Sequence, residues 1–183
     1  PMCGFAALYS YAADAPPASS VALAAINEAM VRRGPDGEGM WMSEDKRVGL
    51  AHRRLAIIDL SSAAAQPMML ESPQGRVHIS YNGEIYNFRA LRKELEATGA
   101  RFTTNSDTEV LLHLYQRHGR AMTTRLRGMF AFAIWDESRQ GMLLGRDGFG
   151  IKPLYYMDDG KTFSAASQVK ALLAGLKAQG RAR

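Results

Sequence analysis

Met129-Phe130-Ala131-Phe132-Ala133-Ile134-Trp135 is apolar at every position, odd and even alike. Successive side chains of an extended chain point to opposite faces, so this run predicts an inner strand covered on both sides. Downstream, Gly141–Arg146, 153–157 and 162–165 predict further strands, and Ser167 is placed to cap a last helix through Leu173. Upstream, strand-like runs fall at 4–10, 39–43, 47–52, 55–58 and 77–81. One helix is expected from Ser19 or Ser20 to about Arg33, with Ile26 and Met30 on its buried face. A second starts at an Asn87 cap and carries Leu91 and Leu95 to a stop at Gly99. The third opens on Ser106-Asp107-Thr108-Glu109, the pattern of a capping box, and ends at Gly119; a shorter helix includes Met122 and Leu126. Many short strands with helices between them, and no regular βαβ alternation, argue for an α+β layered fold in one domain.

Composition agrees. The 183 residues suffice for one ordinary core, and 46% hydrophobic with 22% charged residues describes a soluble globular chain. The net charge of +5 is spread along the sequence, its densest basic stretch being only the tail at 180–183, so no nucleic-acid partner is expected. A single cysteine excludes an internal disulfide and a thiolate zinc cluster, and no metal site is expected. No run reaches the ~20 apolar residues of a membrane span, and the N-terminus does not read as a signal peptide, so a cytoplasmic location is expected. Pro1 ahead of Met2 reads as a cloning remnant, which makes Met2 the initiator and 3–183 the domain.

Cys3 gains its interest from position. Removal of Met2 makes it the first residue, with a thiol and a free α-amine on one framework. A thiol near pKa ~8.5 and an amine near ~7.7–8.0 can exchange a proton at neutral pH, so nucleophile and base need no second side chain. His52 and His78 offer the other arrangement, a Cys–His pair. Asn82-Gly83 has two readings as well. It is a strong hairpin signal, and it is equally a side-chain amide and a backbone N–H able to face one developing oxyanion.

Several motifs occur in a fixed order. They are Met2-Cys3-Gly4, Arg33-Gly34-Pro35-Asp36, the run from Ala51 to Asp59 (AHRRLAIID) and Asn82-Gly83-Glu84-Ile85-Tyr86-Asn87. Ser106-Asp107-Thr108-Glu109-Val110, the run from Gly128 to Ala133 (GMFAFA) and the run from Gly145 to Tyr155 (GRDGFGIKPLY) follow. In this the chain resembles the class II glutamine amidotransferase domain of the asparagine synthetase family, an N-terminal-nucleophile hydrolase. The resemblance covers residues 3 to about 173 and implies a four-layer αββα sandwich of two antiparallel sheets.

The resemblance also implies roles. Cys3 would be the nucleophile and its amine the base, with Asn82 and Gly83 forming the oxyanion hole. Arg54 would hold the α-carboxylate of glutamine, and Glu84 and Asp107 its α-ammonium; Asp107 is placed to serve the helix cap as well. Backbone groups of Ile57 and Ile58 would line the pocket, and Arg33 would steady the first residue. Arg53 reads as surface charge, and Gly145–Gly150 as a structural turn. The implied activity is a glutaminase that delivers ammonia to an ATP-using synthetase, either a following domain or a separate subunit. No cofactor is expected in this domain, ATP and Mg belonging to the synthetase. A homodimer is compatible with the family. Two other readings are a catalytically silent structural module and the amidotransferase half of a sugar-modifying enzyme. With Pro1 and Met2 attached, Cys3 has no free amine, and such a chain is expected to be a poor glutaminase. Arg32 and Gln168 depart from the family's usual His and Glu, and Gln168 bears on coupling to a partner.

Overall fold

A computed structural model describes residues 2–55 and 64–181. The elements are β1 (Gly4–Ser10), α1 (Ser20–Ala29), β2 (Gly37–Met42), β3 (Val48–Arg54), β4 (Met68–Ser72), β5 (Gly75–Ile85) and α2 (Phe88–Ala97). After them come α3 (Asp107–His118), a 3-10 segment (Gly119–Arg125), β6 (Gly128–Asp136), β7 (Gly141–Arg146), β8 (Tyr155–Asp158), β9 (Thr162–Ala166) and α4 (Val169–Ala178). One antiparallel sheet runs β2-β3-β1-β9-β8 and the other β4-β5-β6-β7.

The layers follow from side-chain alternation. On β6, Phe130, Phe132 and Ile134 pack with Leu91 and Leu95 of α2 and Val110, Leu111 and Leu114 of α3. The alternate residues Ala131, Ala133 and Trp135 meet Phe5, Ala7, Val48 and Leu50 of the other sheet. That sheet's outer face (Ala6, Leu8, Ala51, Ala166) is covered by Ala22, Leu23 and Ile26 of α1 and Ala171 and Leu172 of α4. The order is helix, sheet, sheet, helix. Burial of both faces is what the apolar run at 129–135 demanded.

Several expected details differ. The strand expected at 77–81 is eleven residues long and continues straight through Asn82 and Gly83, so no hairpin forms there. β4 was not foreseen, and the run at 55–58 lies, beyond Leu55, outside the described residues. α1 stops at Ala29 rather than Arg33, and the segment with Met122 is a 3-10 turn. Ser106 does cap α3, its Oγ accepting from Thr108 N–H at 3.0 Å, but Glu109 does not complete the box. Its carboxylate instead accepts from the N–H groups of Thr103 (2.8 Å) and Thr104 (2.7 Å), pinning the approach to the helix. Ser167 caps nothing: its Oγ accepts from Phe5 N–H at 3.0 Å, stitching β9 to β1, and Gln168 takes the capping position.

Candidate active site

Three strand ends meet where β1 begins. β1 runs antiparallel to β3 with Gly4 opposite Arg53, so Cys3 lies against the end of β3. β5 crosses beneath: Ser80 Oγ donates to Ala51 O (2.8 Å), and His52 Nε2 donates to Tyr81 O (2.9 Å). Alternation puts Phe5, Leu50, His52 and Ser80 on the inner faces of the two sheets. By the same parity Cys3, Arg54, Asn82 and Glu84 fall on those faces at one end of the sandwich.

The Cys3 thiol is held on both sides by one residue. Leu55 N–H donates to Sγ at 3.2 Å, and Sγ lies 3.4 Å from Leu55 O. Arg33 fixes the backbone, its Nε donating to Cys3 O at 3.0 Å, while Met2 N–H donates to Arg33 O at 3.1 Å. Burial pushes the Cys3 thiol up from its ordinary value, and the Leu55 N–H and the charges of Lys152, Arg54 and Arg33 oppose this only in part. A thiol so placed is mostly protonated at neutral pH and needs a base to become a nucleophile.

Asn82 supplies the other half. Its side chain is buried at 2% exposure, and Nδ2 has no hydrogen-bond partner among the described residues. A buried amide donor left unmade costs about 1–3 kcal/mol, which a protein keeps only with a use for it. Gly83 stands opposite Phe130 in the ladder. Both backbone groups of Phe130 are taken by Asp147, whose N–H donates to Phe130 O (2.8 Å) and whose Oδ2 accepts from Phe130 N–H (3.2 Å). The Gly83 N–H therefore points away from β6, as do its neighbours: Tyr81 N–H reaches Gln66 Oε1 (2.7 Å) and Ile85 N–H reaches Asp107 Oδ2 (3.0 Å). The missing Cβ has a structural reason, since at Gly83 it would lie 2.3 Å from Met129 O.

A family model described as a glutamine amidotransferase domain matches residues 2–182. The chain belongs to that family. It is 42% identical over 173 residues to asparagine synthetase [glutamine-hydrolyzing] 1 of Bacillus subtilis, covering 94% of this chain and 27% of that protein. It is 41% identical over 175 residues to asparagine synthetase B of Escherichia coli, covering 94% of this chain and 30% of that one. Amidase chry2 of Gibberella zeae is 42% identical over 145 residues, 79% of this chain and 21% of the relative. The chain thus spans less than a third of the length of these curated relatives. Among solved structures, a glutamine phosphoribosylpyrophosphate amidotransferase from B. subtilis superposes with a TM-score of 0.77 at 22% identity, over 94% of this chain and 43% of that chain. That likeness confirms the two-sheet N-terminal-nucleophile fold.

Within this amidotransferase domain the remaining expected residues are variously placed. Asp107, 4% exposed, accepts at Oδ2 from Tyr81 OH (2.7 Å) as well as from Ile85 N–H. It docks α3 onto β5 rather than capping the helix, which Ser106 does. Burial raises its carboxyl above the ordinary value, Tyr81 and Ile85 pulling the other way. Ile57 and Ile58 lie outside the described residues. The Cys–His alternative finds no support. His52 is fully buried and pushed down to about 4, chiefly by burial, and its Nε2 proton is committed to Tyr81 O. His78 stacks on Trp41 with ring centroids 3.9 Å apart and pairs with Glu137 at 2.7 Å. Arg53 is not surface charge: at 9% exposure it reaches Glu28 (2.5 Å) and Glu38 (2.9 Å) and donates to Asn27 O. Parity sends it to α1 and its neighbour Arg54 to the inner face.

The turn after β7 is a built object. Asp147, 6% exposed, accepts from the backbone N–H groups of Phe130, Phe149, Ile151 and Lys152. Burial alone would raise its carboxyl, but these donors hold it below the ordinary value. The loop so fixed carries Lys152 inward to 6% exposure, its Nζ 3.1 Å from Met2 Sδ. Sequence reasoning missed Lys152 as part of the site. Among the described residues no three His, Cys, Asp or Glu side chains gather as a metal-binding set.

Proposed function

We propose that this domain hydrolyses the carboxamide of glutamine through Cys3, once the chain begins at that residue. The α-amine of Cys3 takes the thiol proton and Sγ adds to the amide carbon. The oxyanion so formed accepts from Asn82 Nδ2 and Gly83 N–H. The proton passes to the leaving nitrogen, the C–N bond breaks and ammonia departs, leaving a γ-glutamyl thioester. Water, deprotonated by the same amine, then releases glutamate. Arg54 reads the α-carboxylate, and Glu84 with Asp107 the α-ammonium, a charge arrangement suited to an amino-acid head group.

The observation that carries this reading is the buried, unpartnered Nδ2 of Asn82 beside a Gly83 N–H turned off the ladder. Donors already in place for a charge that appears only during reaction are the mark of an oxyanion hole. Ammonia would pass to a partner that forms an amide or amine, in the same chain or a separate subunit. The names of the bacterial relatives, asparagine synthetases that hydrolyse glutamine, support this. So does the exposed apolar tip of the Asp147 loop, where Phe149 is 94% exposed beside Ile151. A cytoplasmic location belongs to the same proposal; no helix among the described residues is long and apolar enough to cross a membrane.

Ammonia release decides the matter. Protein trimmed to begin at Cys3 should hydrolyse glutamine; protein retaining Pro1-Met2, whose Cys3 nitrogen is an amide and no base, should be nearly inactive. Trimmed Cys3→Ala should release none. Equal rates with and without the two residues would remove the α-amine from the mechanism, and activity surviving Cys3→Ala would end the assignment.

A further inference from the structure

Lys152 is a charge without a proper counterpart. It is 6% exposed, and among the described residues its Nζ hydrogen-bonds only to Met2 Sδ, at 3.1 Å, a thioether that accepts hydrogen bonds weakly. Among the described residues no carboxylate forms an ion pair with it. Asp147, the acid of its own loop, already accepts four backbone N–H groups. Buried ammonium groups are ordinarily paired, because a bare charge in a low-dielectric setting is costly. The one hydrogen-bond partner of its ammonium among the described residues belongs to Met2, a residue the proposed mechanism requires to be removed.

We propose that Lys152 is a positioning residue for the nucleophile, its ammonium turning from Met2 Sδ to the thiol and α-amine of Cys3 when the chain begins there. This rests on the glutaminase reading of Cys3 but adds a residue to it. A cation beside the thiol favours the thiolate, and beside the amine favours its neutral, proton-accepting form; both shifts point toward reaction. Arg33 and Arg54 add to the same field at the thiol from the segment after α1 and from the end of β3. Glu84 of β5 and Asp147 favour the charge on Lys152, which burial and Arg33 disfavour. Tyr81 of β5 also senses Cys3, but its buried phenol is held neutral. Lys152 is the cation delivered there by a loop whose backbone is locked.

The test reads the thiol directly. Cys3 is the chain's single cysteine, so alkylation by iodoacetamide reports on it alone. In protein trimmed to begin at Cys3, the pH midpoint of alkylation should rise by about one unit in Lys152→Met relative to wild type. Turnover should fall about tenfold, with the KM for glutamine unchanged within about twofold. Near-UV circular dichroism confirms the fold; should Lys152→Met not fold, Lys152→Gln carries the same test. Coincident alkylation profiles overturn the proposal, even if turnover falls, because loss of structure alone lowers turnover without moving the thiol's ionisation. Ammonia release by Cys3→Ala would instead overturn the glutaminase reading, while the alkylation profile still decides the part played by Lys152.

Discussion

Asn82→Ala separates a catalytic from a structural reading because the two predict opposite balances of activity and stability. The Asn82 amide is buried, and Nδ2 makes no hydrogen bond among the described residues. Removing a donor that folding leaves unmade returns about 1–3 kcal/mol. The small cavity left behind costs a similar amount, about 1–2 kcal/mol, because β5 is fixed on both sides and cannot collapse into it. The net change in stability should lie within about 1 kcal/mol, or a melting shift of no more than about 4 °C in a chain of this length. Turnover should respond very differently. Loss of one oxyanion donor costs about 2.7–4 kcal/mol in the transition state, a fall of about 10²–10³ in kcat, with KM little changed. Steady-state ammonia release and a thermal melt on trimmed protein give both numbers. Normal kcat with only a raised KM would refute the oxyanion role. A loss of more than about 3 kcal/mol in stability would show instead that the amide holds the fold together.

Two further outcomes follow from the same geometry. Arg54→Ala, at the inner-face end of β3, should raise KM for glutamine by about tenfold or more with a smaller effect on kcat, since a head-group contact acts in ground and transition states alike; steady-state kinetics checks it. Asp147→Ala should destabilise by about 2–5 kcal/mol in urea unfolding, because the N–H groups of Phe130 and Lys152 lose their acceptor away from water, whereas those of Phe149 and Ile151 can find solvent. The Asp147 carboxyl is held below its ordinary value, so its contribution is present above the unfolded-state pKa and is lost as pH falls through the folded one. Wild type should therefore lose stability in acid by a component that Asp147→Ala lacks.

The fold was legible where burial wrote an unbroken pattern and misread where a turn signal lay across a strand. The run at 129–135 announced a strand with two covered faces, and the sheet order confirms both covers. β5 is expected to stop at Tyr81 because Asn82-Gly83 carries a strong hairpin signal, yet polar 78, 80, 82 and 84 alternate with apolar 77, 79, 81 and 85 straight through it. The pair that suggests a turn lies in the candidate site itself, where the local rule gives way to chemistry. The motifs group Cys3, Asn82 and Glu84 by family resemblance; a physical reason for grouping them, shared parity at one end of facing strands, needed the sheet register. Arg53 and Arg54 show how little separates the two kinds of information. They are adjacent and chemically identical, and strand alternation alone sends one to Glu28 and Glu38 and the other toward the thiol.

Lys152 marks the limit of such reasoning. It stands 150 residues from Met2, on a loop whose glycines suggest only a turn. No periodicity carries it inward; four backbone bonds to one carboxylate do, and a carboxylate that gathers N–H groups looks in sequence like any surface acid. The charge that reaches the thiol is therefore set by Asp147, which touches no reacting atom. Disturbing Asp147 should thus cost activity beyond what its stability loss predicts, by letting Lys152 escape to water. In trimmed protein kept folded well below its melting temperature, Asp147→Ala should raise the alkylation midpoint of Cys3 in the same direction as Lys152→Met. A midpoint that stays at the wild-type value while the loop is demonstrably displaced would mean that Arg33 and Arg54 alone set the thiol's ionisation.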